Sequence, residues 1–426
     1  MYLKKVKAGA LQLTLFIAVV IALLLTAFIL LVHTHKRFEV QTDFIIEVTK
    51  NTDKGFDYVL KNAVLLNDTT TIDLNDEDYK SLKVHRDFWG VFEKITAVSQ
   101  IKNNRFQKTA LIGYKQDGQS RTALYLQDNN KPLALVGNTK IDGTAYLPKQ
   151  GVKPGIISGQ PYYGSQLVYG SINTSSNLPK VFTETINQIN SLENQILNIP
   201  QNQFLEIKPN KQYSNSFMDP MLVVFSNSDI NFNSVRLTGN IMVQSKTKIS
   251  VDASSALKDV VLIAPEIEIQ NNVIGNFQAI ASKKISVGKS VNLQYPSALV
   301  LNEKNKEIQL EPLDQDLEQN TMVINDNSTI KGLVMYLGIE KPNNHKAQIE
   351  LKEQAIVYGE IYNNQNTELK GTVYGTVYTN NFIANQFGSI YQNHIYNGTI
   401  IIDELPKEYA GLSFNNSKKE VLKWLY

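Results

Sequence analysis

The chain has 426 residues, is 42% hydrophobic, carries 42 Lys+Arg against 40 Asp+Glu for a net charge of +2, and contains no cysteine. The missing cysteine excludes disulfide staples, thiolate catalysis and Cys-ligated zinc. The near-balanced charge, with no block of one sign, excludes a dedicated nucleic-acid surface, which needs clustered Lys and Arg.

Residues 1–9 read as a short cytoplasmic leader, and Ala10 to Val32 follows without a single charge. As a helix that run spans about 34 Å, enough to cross a hydrocarbon layer of ~30 Å, so 10–32 is expected to be a transmembrane helix in contact with the lipid bilayer. His33-Thr-His-Lys-Arg37 follows it where a secretory signal would carry a small-x-small cleavage site, so the span is expected to stay on the protein. Lys4, Lys5 and Lys7 precede the span, and Lys36 and Arg37 follow it. That excess predicts a cytoplasmic N-terminus and an exported bulk. Beyond the span, Phe38, Ile45, Val48, Phe56, Val59 and Ala63 recur at helical spacing among charged residues. The helix is therefore expected to continue as a stalk over 33–63, with Gly55 its weak point. The stripe suits packing on the chain's own domain or on other stalks.

The Lys-rich leader, Ala8-Gly9 and the apolar run resemble the N-terminus of type IV pilins and minor pseudopilins. In those families a basic leader ending in Gly is removed by a prepilin peptidase, and the apolar helix continues into an exported domain. The resemblance makes Gly9 the residue before the cut. Most of these pilins carry Glu five residues later, where this chain has Thr14.

Residues 64–130 alternate apolar and polar, as in Thr109-Ala-Leu-Ile-Gly113 and Thr122-Ala-Leu-Tyr-Leu126, and predict a β-rich meander. Leu133-Ala-Leu-Val-Gly137, Ala145-Tyr-Leu147 and Leu167-Val-Tyr-Gly-Ser-Ile172 read as first coils of a repeat over 131–175. An amphipathic helix is expected within 176–200, from Val181, Ile186, Ile189, Leu192 and Ile196.

From 205 to 402 the sequence repeats. Ile230, Ile249, Ile267 and Ile285 recur at intervals of 19, 18 and 18, with Phe232, Val251, Ile269 and Val287 two residues on and Val224, Val243, Val261 and Ala279 six residues before. That period is too short for a βαβ unit and fits one coil of a parallel β-solenoid, whose stacked positions share an environment and so accept similar residues. Ile356-Val-Tyr-Gly-Glu-Ile-Tyr-Asn363 is echoed by Thr372-Val-Tyr-Gly-Thr-Val-Tyr-Thr379, sixteen residues on. The copies read as successive coils, with Gly359 and Gly375 at a corner and Tyr358 and Tyr374 stacked on one face. The 290–331 stretch breaks the period and reads as an insertion. The tail, 406–426, is expected to be a C-terminal cap with a short helix over Lys418 to Leu425. The fold class is thus mainly β, a parallel β-solenoid behind a transmembrane helix and stalk. The Gly-x-Val/Ile-x-Gly rhythm resembles bactofilins, polymer-forming β-helical proteins.

The five histidines show no metal-ligand spacing. Asp229, Lys248, Glu266 and Lys284 fall at equivalent positions and read as a solvated ladder of alternating charge rather than an acid pair. Glu311, Asp314, Asp316 and Glu318 form an acidic loop. No P-loop, GxSxG or dinucleotide fingerprint appears. The sequence therefore predicts no enzyme, no cofactor and no metal. It predicts a single-pass protein of a bacterial inner membrane with its bulk in the periplasm or at the cell surface. The expected role is a structural or adhesive scaffold, or a minor-pilin-like component, with other envelope or pilus-like proteins as partners and no nucleic acid. The alternatives are an anchored β-helix that binds or cleaves polysaccharide, and a bactofilin-like cytoplasmic polymer.

Overall fold

A computed structural model describes residues 8–74, 79–116, 121–304, 320–339, 341, 344–414 and 418–425. The chain divides into two compact units: Met1–Leu65 with Thr69–His85 and Ala97–Lys108, and Leu66–Asp68 with Arg86–Thr96 and Thr109–Tyr426.

The first unit is built on one helix, Ala8–Lys61. Leu, Ala and Ile dominate its first half and no proline interrupts it, so nothing stops propagation. Asn62 closes it: its backbone N–H and its Nδ2 each donate to the Tyr58 carbonyl at 2.9 Å. From Gly9 the helix is long and apolar enough to cross a membrane, with a mean hydropathy of 3.3 in its most apolar window. The stripe beyond is used unevenly. Val48, Phe56 and Val59 are buried, while Phe38 and Ile45 are exposed. The helix runs unbroken through Gly55. This glycine lets the helix approach a sheet, since a Cβ there would lie 3.2 Å from Ala97, Leu82 and Val84. Glu47 pairs with Lys80 at 2.7 Å and Asp53 with Lys108, fixing the helix on this side.

Lys80–Trp89, Phe92–Ile101 and Asn104–Lys115 follow one another through two-residue turns and pair in that order in one sheet. Lys418–Leu425 adds to its edge, antiparallel to Asn104–Lys115, with Lys419 opposite Tyr114 and Trp424 opposite Ala110. This corrects the expected C-terminal helix. The strand buries Leu422 and Leu425, and pairing along an open edge outweighs the helical preference of Lys, Glu and Leu, which amounts to only a few tenths of a kcal/mol per residue.

The second unit is dominated by parallel strands whose pairings close into a barrel around the larger apolar core. Ile230 pairs with Ile249, Ile249 with Ile267 and Ile267 with Ile285, and the column continues through Met322 and Ile349. A second column runs Val224, Val243, Leu262, Ala279, Leu299, Val334, Ile361 and Val377. Leu262 takes the place expected for Val261. Three residues separate Gln244 from Lys248, but only two separate the paired Ile263 and Glu266, so this corner is one residue shorter.

The two echoing octets pair residue for residue, Ile356 with Thr372 through Asn363 with Thr379. Gly359 and Gly375 lie opposite each other with φ of +146° and +149°, and Gly332 precedes them in the column at +138°. A Cβ at Gly375 would sit 1.9 Å from the Gly359 carbonyl oxygen, so the close approach of neighbouring backbones requires glycine.

Three assignments of order differ from expectation. Thr122–Leu126 belongs to the parallel strands rather than the meander, pairing with Val377–Thr379. Lys140–Asp142 pairs with Thr399–Ile401, and Thr144–Leu147 links Thr122–Leu126 to Ile172–Thr174. The early strands therefore stack beyond the last repeat, not before the strand at Leu222. A short alternating strand reads the same against any apolar neighbour, so local sequence does not specify its partner. The break at 290–331 is narrower than expected, because Asn292–Asn302, Thr321–Ile324 and Thr329–Leu337 are all paired members. The acidic loop at 311–318 lies outside the described residues. Within 176–200, Thr183–Ser191 is α-helical and Leu192–Asn198 tightens into a 3₁₀ helix.

Gly375→Ala is expected to cost about 3 kcal/mol, because strain at positive φ is joined by a backbone collision. Gly388→Ala, where φ is +78° but a Cβ would meet nothing within 4 Å, is expected to cost about 1 kcal/mol. Thermal melts followed by circular dichroism at the β signal compare the two, and equal losses would remove the close-approach argument.

Candidate functional site: a groove beneath the 403–412 segment

A groove of about 840 Å³ lies on the barrel face formed by strands Asn292–Asn302, Thr329–Leu337 and Ile356–Leu369. Their alternation points Leu293, Ile330 and Val357 inward, all fully buried, and turns the residues between them outward. One outward column is Asn292, Thr329, Ile356, Thr372 and Thr399; the next is Lys331, Tyr358, Tyr374 and Ile401. The Tyr358 and Tyr374 rings stack with centroids 4.8 Å apart, and the Lys331 ammonium lies 6.0 Å from the Tyr358 centroid. Glu404, Leu405, Pro406, Glu408 and Tyr409 form one wall, and Val421 and Leu422 line it as well.

That wall is held firmly. The Arg121 guanidinium donates to the carbonyls of Leu405, Pro406 and Lys407 at 2.9, 2.9 and 2.7 Å. The Tyr409 hydroxyl donates to Gly332 O at 3.1 Å, and the Tyr295 hydroxyl to Ala410 O at 2.8 Å. Behind the wall sits Glu360, 2% exposed, whose Oε2 accepts the Leu412 N–H at 2.7 Å. Gln116 Nε2 stands 3.5 Å from its other oxygen. Burial pushes the carboxyl up from its ordinary 4.5 to about 7, outweighing the opposing effects of Leu412 N–H, Gln116 and Arg121. Burial likewise raises the neighbouring phenols of Tyr378 and Tyr409.

A second polar cluster is buried in the same unit. Arg86 clamps Glu93 with two hydrogen bonds, at 3.0 and 2.9 Å, and also pairs with Glu184. The Tyr114 hydroxyl donates to Glu93 at 2.8 Å, and Lys419 lies 3.6 Å from it. Burial alone would raise Glu93, but the Arg86 hydrogen bonds and the Lys419 and Arg86 charges hold it below the usual range. Two cations balance two carboxylates, which describes a locked structural network rather than a reactive group. Close by, the side chain of Gln278 grips the turn at Gly90, accepting from Val91 N at 2.8 Å and donating to Trp89 O at 3.0 Å.

The expected site residues fall elsewhere. Gly9 lies in the first turn of the helix, where a Cβ would meet nothing within 4 Å. Ile230, Ile249, Ile267 and Ile285 lie in the core, and Gly359 and Gly375 in the glycine column next to the groove. Lys248, Glu266 and Lys284 are paired neighbours, and Thr247 donates to Asp229 at 2.6 Å. His85 meets Thr69 at 3.0 Å, and His394 meets the Gln392 carbonyl at 2.6 Å. Among the described residues, no three His, Asp or Glu side chains gather closely enough to hold a metal. Sequence reasoning missed Glu360, although it was the only charged residue in the two octets, opposite Thr376. Comparison with known protein families, with curated proteins and with solved structures found no match.

Because the fold favours protonated Glu360, its contribution is intact below about pH 4.5, where the unfolded chain also keeps the proton, and is lost as pH rises through about 7. The loss amounts to about 3 kcal/mol. Glu360→Gln keeps the shape and cannot ionise, so its melting temperature relative to wild type is expected to climb between pH 5 and pH 8. Parallel pH profiles would mean that Glu360 already carries its charge in the fold.

Proposed function

We propose that this chain is a membrane-anchored, non-enzymatic component of a bacterial cell envelope, a structural or adhesive scaffold. Ala10–Val32 seats it in the inner membrane, and its β-rich bulk is exported. The observation that carries this reading is the in-register column of equivalent residues from Ile230 to Ile349. Such stacking is what a parallel β-solenoid requires, and solenoids serve as stiff, extended surfaces built from nearest-neighbour contacts. The buried polar groups support a structural role, since the Arg86 network and the Gln278 clamp hold elements together. Gly9 fits the minor-pilin-like reading as the residue before the cut, and among the described residues none lies within 4 Å of where its Cβ would be.

In cells with a prepilin peptidase, the mature protein is expected to be nine residues shorter than the full chain, and Gly9→Leu to abolish the shortening, both read by mass spectrometry. A phosphatase reporter fused after Tyr426 is expected to be active, as export requires. An intact N-terminus together with a silent phosphatase would sink this reading in favour of a cytoplasmic polymer.

A further inference from the structure

We propose that the groove beside Tyr358 binds a strand of uncharged polysaccharide laid across the parallel strands. The wall of the groove is tied down by Arg121 and Tyr409, so binding requires little ordering of the protein. Its lining intersperses polar and apolar groups. Asn292, Thr329, Tyr358 and Glu404 offer amide, hydroxyl and carboxylate, with Ile356 and Leu422 between them. A sugar ring has the complementary surface, with hydroxyls around its rim and C–H groups on its faces. A carboxylate accepts hydrogen bonds from two neighbouring sugar hydroxyls, and phenol and threonine hydroxyls both give and accept.

Charge narrows the occupant. Glu404 and Glu408 stand on the wall, so an acidic polymer is repelled. Lys331 is engaged over the Tyr358 ring and faces Gln294 at 3.5 Å. The repetition selects a polymer over a single sugar. Thr329, Ile356, Thr372 and Thr399 stand in one column and Tyr358 and Tyr374 in the next, each step being one strand spacing of about 4.8 Å. Successive sugar units of an extended chain advance by a similar distance, so a unit at Tyr358 in the groove is followed by one at Tyr374, whose ring stacks on that of Tyr358 one strand further on.

This inference goes beyond the scaffold role and stands independently of which side of the membrane the groove faces. The test uses the full chain in lipid nanodiscs, free of sugar detergents. It is titrated calorimetrically with hexasaccharides of glucose, mannose and N-acetylglucosamine, with a uronate hexasaccharide, and with a Lys-rich peptide. At least one neutral hexasaccharide is expected to bind more tightly than the uronate or the peptide. Tyr358→Phe and Glu404→Gln, each removing one polar group from the groove surface, are expected to weaken it about tenfold with unchanged circular dichroism. Absence of binding by all three neutral hexasaccharides overturns the proposal. So does tighter binding of the uronate or the peptide, or unchanged affinity in both variants.

Discussion

Parallel pairing sets each residue directly against its counterpart in the next strand, about 4.8 Å away, so a column holds only residues that tolerate their own kind at that distance. Inside the barrel this favours branched aliphatic residues, and Ile230, Ile249, Ile267 and Ile285 meet the condition by dispersion contact alone. Outside, like charges would repel, and Lys248, Glu266 and Lys284 alternate in sign. Where backbones come closest, only glycine fits, giving the run Gly332, Gly359 and Gly375. The repeats in the sequence are the written trace of this one constraint.

The parallel strands are also apolar outward along part of their surface, and that surface is covered. Met242, Val261, Ile280, Ala298 and Met335 join a second buried cluster with Trp89, Phe92, Ile189, Leu412 and Leu422. Burial on both faces is the usual condition of parallel strands. It explains why polar groups are enclosed at the same seam. Gln278, Glu360 and the Arg86 network each satisfy backbone or side-chain partners that the covering segments bring in.

Much of this was legible in the residues. The columns, the paired octets, the stacked tyrosines and the long helix follow from periodicity, because period is a local property of a chain. What escaped was partnership at long range. Thr122–Leu126 alternates as a meander strand does, and only the pairing with Val377–Thr379 assigns it to the barrel. Lys418–Leu425 carries good helix formers, and the edge it completes lies three hundred residues away in sequence. Glu360 sat in plain view, yet its burial depends on a segment fifty residues later folding over it. The groove has the same origin: its floor is periodic and readable, while its wall is the aperiodic tail.

The match between Ile356–Asn363 and Thr372–Thr379 bears on how such a chain can change in length over generations. A unit that sits comfortably against a near-copy of itself can be duplicated or lost whole, shifting everything beyond it by one strand spacing while each remaining neighbour meets the surroundings it met before. Additions of any other size must fall between strands, and the strands that end at Asn302 and begin at Thr321 both keep their partners in register.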